Sequence, residues 1–118
     1  MHPTTPYDFI PARLITHDLI VGRGAVAESG DDIIVHYVGK LLNGRQFDSS
    51  RNRRDPLDIA LGAGDVIQGL DRGLVGMRVG GVRKLTIPAE LAYGEHGCGG
   101  VIPPGATLVF DVELLEVS

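Results

Sequence analysis

Apolar residues recur at every second position in several stretches of the chain. Between Asp31 and Leu42, Ile33, Val35 and Tyr37 fall on one side, and Asp32, His36 and Lys40 fall on the other. Side chains two apart share a face of a strand, so this spacing predicts a strand with one buried face. The same reading holds for Leu57-Asp58-Ile59-Ala60-Leu61. It holds again for Thr107 to Val117, where Leu108, Phe110, Val112 and Leu114 oppose Asp111 and Glu113. Two further strands are predicted, from Leu14 to Val21 before Gly22 and Gly24, and from Val82 to Ile87 before Pro88. The pair Asn43-Gly44 predicts a two-residue hairpin with both turn positions at positive φ, folding Gln46 and Phe47 back on the preceding strand.

One stretch has a helical period instead. Val66, Ile67, Leu70 and Leu74 share a face, with Gln68, Asp71 and Arg72 turned away. Asp65 with Gln68 three residues later predicts a capping box at its start. Gly69, Gly73 and Gly76 lower the intrinsic propensity, so this helix needs a sheet to pack on. Several strands, one helix and no repeating strand–helix–strand unit predict an antiparallel α+β domain.

Length and charge narrow the picture. At 118 residues the chain suits a single core. Residues 1–12, polar and broken by proline, read as a flexible N-terminal leader ahead of a domain spanning 13–118. A net charge of -4 argues against nucleic acid as a partner, which calls for a basic surface. No apolar run approaches a membrane span, so no membrane association is expected. A lone cysteine, Cys98, makes no internal disulfide, and the first residues lack a secretory signal; the expectation is a cytoplasmic monomer.

Conventional catalytic chemistry has no constellation. His2, His17, His36 and His96 lack a metal-binding spacing, and no cofactor motif is present, so neither a metal nor a cofactor is expected. His96 and Cys98 read as two unrelated side chains of a glycine loop. Gly62-Ala63-Gly64 ahead of the helix reads as a tight turn, with anion attraction the weaker alternative. Function must then rest on shape and apolar contact, or on binding a partner.

The strings VHYVGKLLNGRQFDSS (35–50), GAGDVIQGLDRGLVGMRVGG (62–81), KLTIPAELAYG (84–94) and IPPGATLVFDVELLEV (102–117) closely resemble the FKBP-type prolyl isomerases. The likeness runs in order from about Leu14 to Val117. It implies an antiparallel half-barrel sheet wrapped around one short central helix, with a shallow apolar pocket between them. Residue by residue, it implies Tyr37, Asp48, Tyr93 and Phe110 as catalytic. Phe47, Arg53, Leu57, Val66, Ile67, Leu70 and Ile102 are implied to bind substrate or inhibitor. Read without the resemblance, Tyr37, Leu57, Ile102 and Phe110 are core candidates, Asp48 is a turn-capping residue and Tyr93 a surface aromatic.

The activity so implied is cis-trans isomerisation of X-Pro bonds in proline-containing polypeptides, assisting folding, with macrolides such as rapamycin or tacrolimus as ligands. The alternative is a non-catalytic FKBP-like binding or chaperone module. The chain departs from the family pattern in three places. Leu70 stands where the best-known members carry a tryptophan, Leu57 where a large aromatic is usual, and Cys98-Gly99 where a His-Pro-like pair is frequent. These changes predict a smaller pocket floor and a more flexible loop. Gly69 and Gly73, flanking Leu70, are expected to leave room for a larger ring there.

Overall fold

The computed structural model describes residues 13–118; the leader assigned to residues 1–12 lies outside them. The two longest alternating stretches form the centre of the sheet. β2 (Asp32–Leu41) and β6 (Leu108–Val117) pair antiparallel from Ile33↔Val117 to Leu41↔Leu108. Their apolar positions, Ile33, Val35, Tyr37 and Leu41 against Leu108, Phe110, Val112 and Leu114, are all buried, as period-two alternation requires. β5 (Val82–Ile87) lies beside β6, and β1 (Ile15–Ile20) forms the edge beyond it. The other edge of β2 is shared. β4 (Leu57–Ala60) pairs with Asp32 to Val35, and β3 (Gln46–Ser49) pairs with Val38 to Lys40. The result is a six-stranded antiparallel sheet, not closed, curved around a short helix.

That helix, α2 (Gln68–Gly73), begins later than its apolar spacing predicts. Val66 and Ile67 precede it, and Ile67 is its N-cap with no side-chain cap bond. The expected Asp65–Gln68 capping box does not form, because Asp65 Oδ2 accepts from the Ala60 N–H at 3.1 Å and closes the preceding turn instead. The Gly62 and Gly64 N–H groups both donate to the Asp71 carboxylate, each at 2.9 Å. The helix's own acid therefore satisfies the glycine turn, which settles the tight-turn reading.

Gly69 and Gly73 let α2 sit directly on β5. A Cβ at Gly69 would lie 2.3 Å from Ile87 Cγ2, and one at Gly73 would lie 2.1 Å from Leu85 Cδ2. The expectation that these glycines leave room for a larger ring is overturned: Ile87 and Leu85 fill it. At the helix C-terminus, Arg83 donates to the carbonyls of Gly73 (2.8 Å) and Val75 (3.0 Å) and to Asp18 on β1 at 2.7 Å. A cation at that end also suits the helix dipole.

The β2–β3 hairpin differs from its expected form. Gly44 donates to Leu41 O and Leu41 donates to Arg45 O, both at 2.9 Å, enclosing a three-residue loop. Gly44 has φ +89, whereas Arg54 is the one non-glycine at positive φ among the described residues, so Asn43 does not take the left-handed region. Asn43 Oδ1 accepts from the Arg45 N–H at 2.9 Å, and the loop is a turn closed by a glycine bulge. The register then shifts between Gly39↔Asp48 and Lys40↔Gln46, which leaves Phe47 as an extra residue in β3. Next comes α1 (Ser50–Arg53), a single helical turn. Among the described residues, no helix is long and apolar enough to cross a membrane.

Candidate active site

A cavity of about 350 Å3 opens between β2, β3, β6 and the segment leading into α2. Its apolar lining is Phe47, Leu57, Val66, Ile67, Leu70 and Phe110, with Tyr37, Asp48, Asp65 and Tyr93 supplying polar atoms. Phe110 is its aromatic centre. The Phe47 ring meets it edge-on, with centroids 5.5 Å apart at 86°, and the Tyr37 ring is tilted against it at 5.9 Å and 52°. Both arrangements place ring edges toward ring faces, which the aromatic quadrupole favours. Gly39 makes the cluster possible. A Cβ there would stand 2.6 Å from Phe47 Cζ and 2.9 Å from Phe110 Cε1.

Regular alternation would send Phe47 and Asp48 to opposite faces of β3. The bulge at Phe47 breaks that alternation, and both reach the cavity. Tyr37 donates its hydroxyl to Asp48 Oδ2 at 2.5 Å. Arg53 pairs with Asp48 Oδ1, donates to the Tyr37 oxygen at 3.0 Å and lies 5.8 Å over the Tyr37 ring. The capping of α1 falls to Ser49, whose Oγ accepts from the Asn52 N–H at 3.1 Å. Asp48 is thereby free of the turn role and belongs to the polar wall of the cavity.

These contacts set the charges. Burial works to raise the Asp48 carboxyl, but the bonds from Tyr37 and Arg53 outweigh it and hold it below the ordinary carboxylate value. Tyr37 is pushed up, first by burial and then by the adjacent carboxylate, so it remains a protonated donor. Tyr93 is raised chiefly by burial, with Cys98 and Asp48 adding to it. Tyr93 is 38% exposed at the rim. Among the described residues, the Ile67 N–H has no backbone acceptor.

Nine of the eleven residues singled out from the sequence thus meet at one cavity. Arg53 does not line it: α1 ends there, and the guanidinium braces Tyr37 and Asp48 from outside with its side chain 47% exposed. Ile102 does not line it either. Its backbone closes a tight turn with Cys98, and its side chain is buried in the core. Sequence reasoning missed Asp65 as a lining residue and Gly39 as the seat of the aromatic cluster. Gly39 was signalled by its place on the alternating inward face of β2. No group of three metal-ligating side chains occurs among the described residues.

An open antiparallel sheet around a short helix, with an apolar cavity between them, is the arrangement that the resemblance to the FKBP-type prolyl isomerases implies. Residues 24–115 match the family described as FKBP-type peptidyl-prolyl cis-trans isomerase, and the chain belongs to that family. It is 61% identical over 104 residues to an FK506-binding protein of Neisseria meningitidis serogroup B, covering 88% of this chain and 95% of that one. It is 51% identical over 109 residues to an FK506-binding protein of Streptomyces anulatus, covering 91% and 88%. The crystal structure of AtFKBP13 superposes with a TM-score of 0.83 at 46% identity, covering 89% of this chain and 93% of that one. That of FkpA from Escherichia coli superposes at 0.81 and 44% identity over 89% of this chain and 48% of that chain. The protein is a peptidyl-prolyl cis-trans isomerase.

Proposed function

We propose that the cavity walled by Tyr37, Phe47, Leu70 and Phe110 seats the prolyl ring of protein substrates. On this reading the enzyme assists folding, and macrolides such as rapamycin or tacrolimus compete for the same seat. The observation that carries this reading is the division of the cavity: apolar inside, with polar groups at its margin. The names of the relatives from Neisseria meningitidis and Streptomyces anulatus, both FK506-binding proteins, support the macrolide part.

Rotation about X-Pro breaks no bond. Its barrier of about 18–20 kcal/mol comes from amide resonance. Twisting the bond removes that resonance and leaves a less polar carbonyl. An apolar, water-poor seat disfavours the polar planar state and so narrows the gap to the twisted one. Val66, Leu70 and the three aromatics supply this environment. On this reading the Ile67 N–H and the Tyr93 hydroxyl hold carbonyls on either side of the ring, and Asp48 accepts from substrate backbone. Each tenfold gain in rate needs about 1.4 kcal/mol of such differential stabilisation. Uncatalysed isomerisation takes tens to hundreds of seconds, slow enough to limit folding, which is why this activity aids it.

The test is a proline-limited peptide isomerisation assay with and without rapamycin. Acceleration that disappears at stoichiometric rapamycin is expected. Acceleration that persists with the macrolide bound would place catalysis elsewhere.

A further inference from the structure

The edge of β2 that supports Tyr37 changes partner beside it. β4 pairs as far as Val35, and β3 takes over at Val38. Tyr37 falls between them, and its backbone groups on that edge meet a side chain instead of a strand. Its N–H donates to Ser50 Oγ at 2.7 Å, and its carbonyl accepts from the same hydroxyl at 3.3 Å. Ser50 is 0% exposed. Its third contact is His36 Nδ1 at 2.9 Å. A serine hydroxyl has one proton to give and two lone pairs to accept with. With a proton on His36 Nδ1, all three contacts are satisfied at once: two N–H groups donate in, and the hydroxyl donates to the Tyr37 carbonyl.

Ser50 is also the first residue of α1, and Arg53 is the last. One four-residue helix therefore grips Tyr37 at both ends, the backbone through Ser50 and the phenol through Arg53 at 3.0 Å. We propose that Ser50 is a positioning residue for isomerisation, fixing Tyr37 and, through it, the Tyr37–Asp48–Arg53 wall. This rests on the reading of the cavity as the catalytic seat.

The test is a double-mutant cycle of Ser50→Ala and Tyr37→Phe, read as kcat/KM, with urea midpoints recorded for all four proteins. Ser50→Ala is expected to lower kcat/KM roughly tenfold with Tyr37 present and less than about twofold in the phenylalanine background, since residues acting through one contact are non-additive. A purely structural role would lower the urea midpoint in both backgrounds and cut kcat/KM by the same factor in each. That outcome, or an unchanged kcat/KM in Ser50→Ala, overturns the proposal. Should the alanine chain not fold, Ser50→Cys keeps the volume with a much weaker hydrogen-bonding group and runs in the same cycle. A Tyr37→Phe protein with wild-type kcat/KM would sink both this proposal and the role of Tyr37 in the cavity. A loss in Tyr37→Phe with additive behaviour would sink this proposal alone.

Discussion

The apolar seat of the cavity and its polar wall both depend on β2, yet they are assembled differently. Phe110, Leu70 and Tyr37 come from regular elements and are buried with the core; their positions follow from strand and helix geometry. Asp48 and Arg53 come from a bulged strand and a single helical turn, and their side chains stay 38% and 47% exposed. The seat is part of what holds the protein together. The wall is hung on it by a few hydrogen bonds. Substitutions in the seat should therefore cost stability and activity together, and substitutions in the wall should separate the two.

The largest expected effect is in the seat. Phe110→Ala removes the ring that Tyr37 and Phe47 both contact, and should destabilise the protein by about 3–5 kcal/mol while abolishing isomerisation. Urea denaturation and the peptide assay read both. A stable but inactive variant would break the comparison, by showing the seat to be separable from the core.

The wall comes next. Asp48→Ala should lower kcat/KM roughly tenfold, about 1.4 kcal/mol, with the fold intact by circular dichroism. An unchanged rate over a panel of X-Pro peptides would remove Asp48 from the site. The carboxyl also carries a pH signature. Its folded pKa lies below the unfolded value. The stabilisation it contributes is therefore present above the ordinary carboxylate range and is lost as the pH falls through the depressed value. Urea midpoints on acidification should fall less steeply in Asp48→Ala than in the natural chain.

A smaller effect is expected at the floor. With Ile87 and Leu85 filling the space under α2, the added bulk of Leu70→Trp must project into the open cavity. There, about 40 Å² of extra apolar contact with a bound macrolide is worth roughly 1 kcal/mol, somewhat under tenfold in Kd. Calorimetric titration with rapamycin reads it; equal or weaker binding would mean that the ring strains the floor instead. The smallest effect is at Cys98, exposed and outside the lining. Cys98→Ser should leave kcat/KM unchanged within about twofold, and a larger loss would bring the glycine loop into the site.

The same contrast explains what could be read in advance. Alternation in β2 and β6 places Tyr37 and Phe110 on the inward face, because a strand buried on one side has little freedom in its pattern. The wall obeys no period. Phe47 and Asp48 are consecutive, and only a register shift brings both inward. That shift depends on how Gly39 accommodates two rings, a contact across three strands that no local window contains. Arg53 and Ile102 were placed in the cavity by resemblance. Which way a one-turn helix aims its last side chain, and how deeply a tight turn sinks an isoleucine, is decided by packing. Asp65 looked like a helix cap, since its spacing to Gln68 suits that role; the competing Ala60 N–H, five residues back, wins.

The ties that hold the sheet together span long stretches of chain: Asp18 to Arg83 across 65 residues, Arg51 to Glu113 across 62, Asp32 to Ser118 across 86. Loops of that length must be drawn shut before their contacts repay the lost chain entropy, so folding should belong to the slow, millisecond-to-second class of non-local topologies. The cavity inherits this history. Tyr37 and Phe110 sit on the two central strands, whose pairing with each other waits until the large loops have closed. The seat is complete only once β2 and β6 have paired, so the capacity to grip a ligand is expected to arrive late in folding.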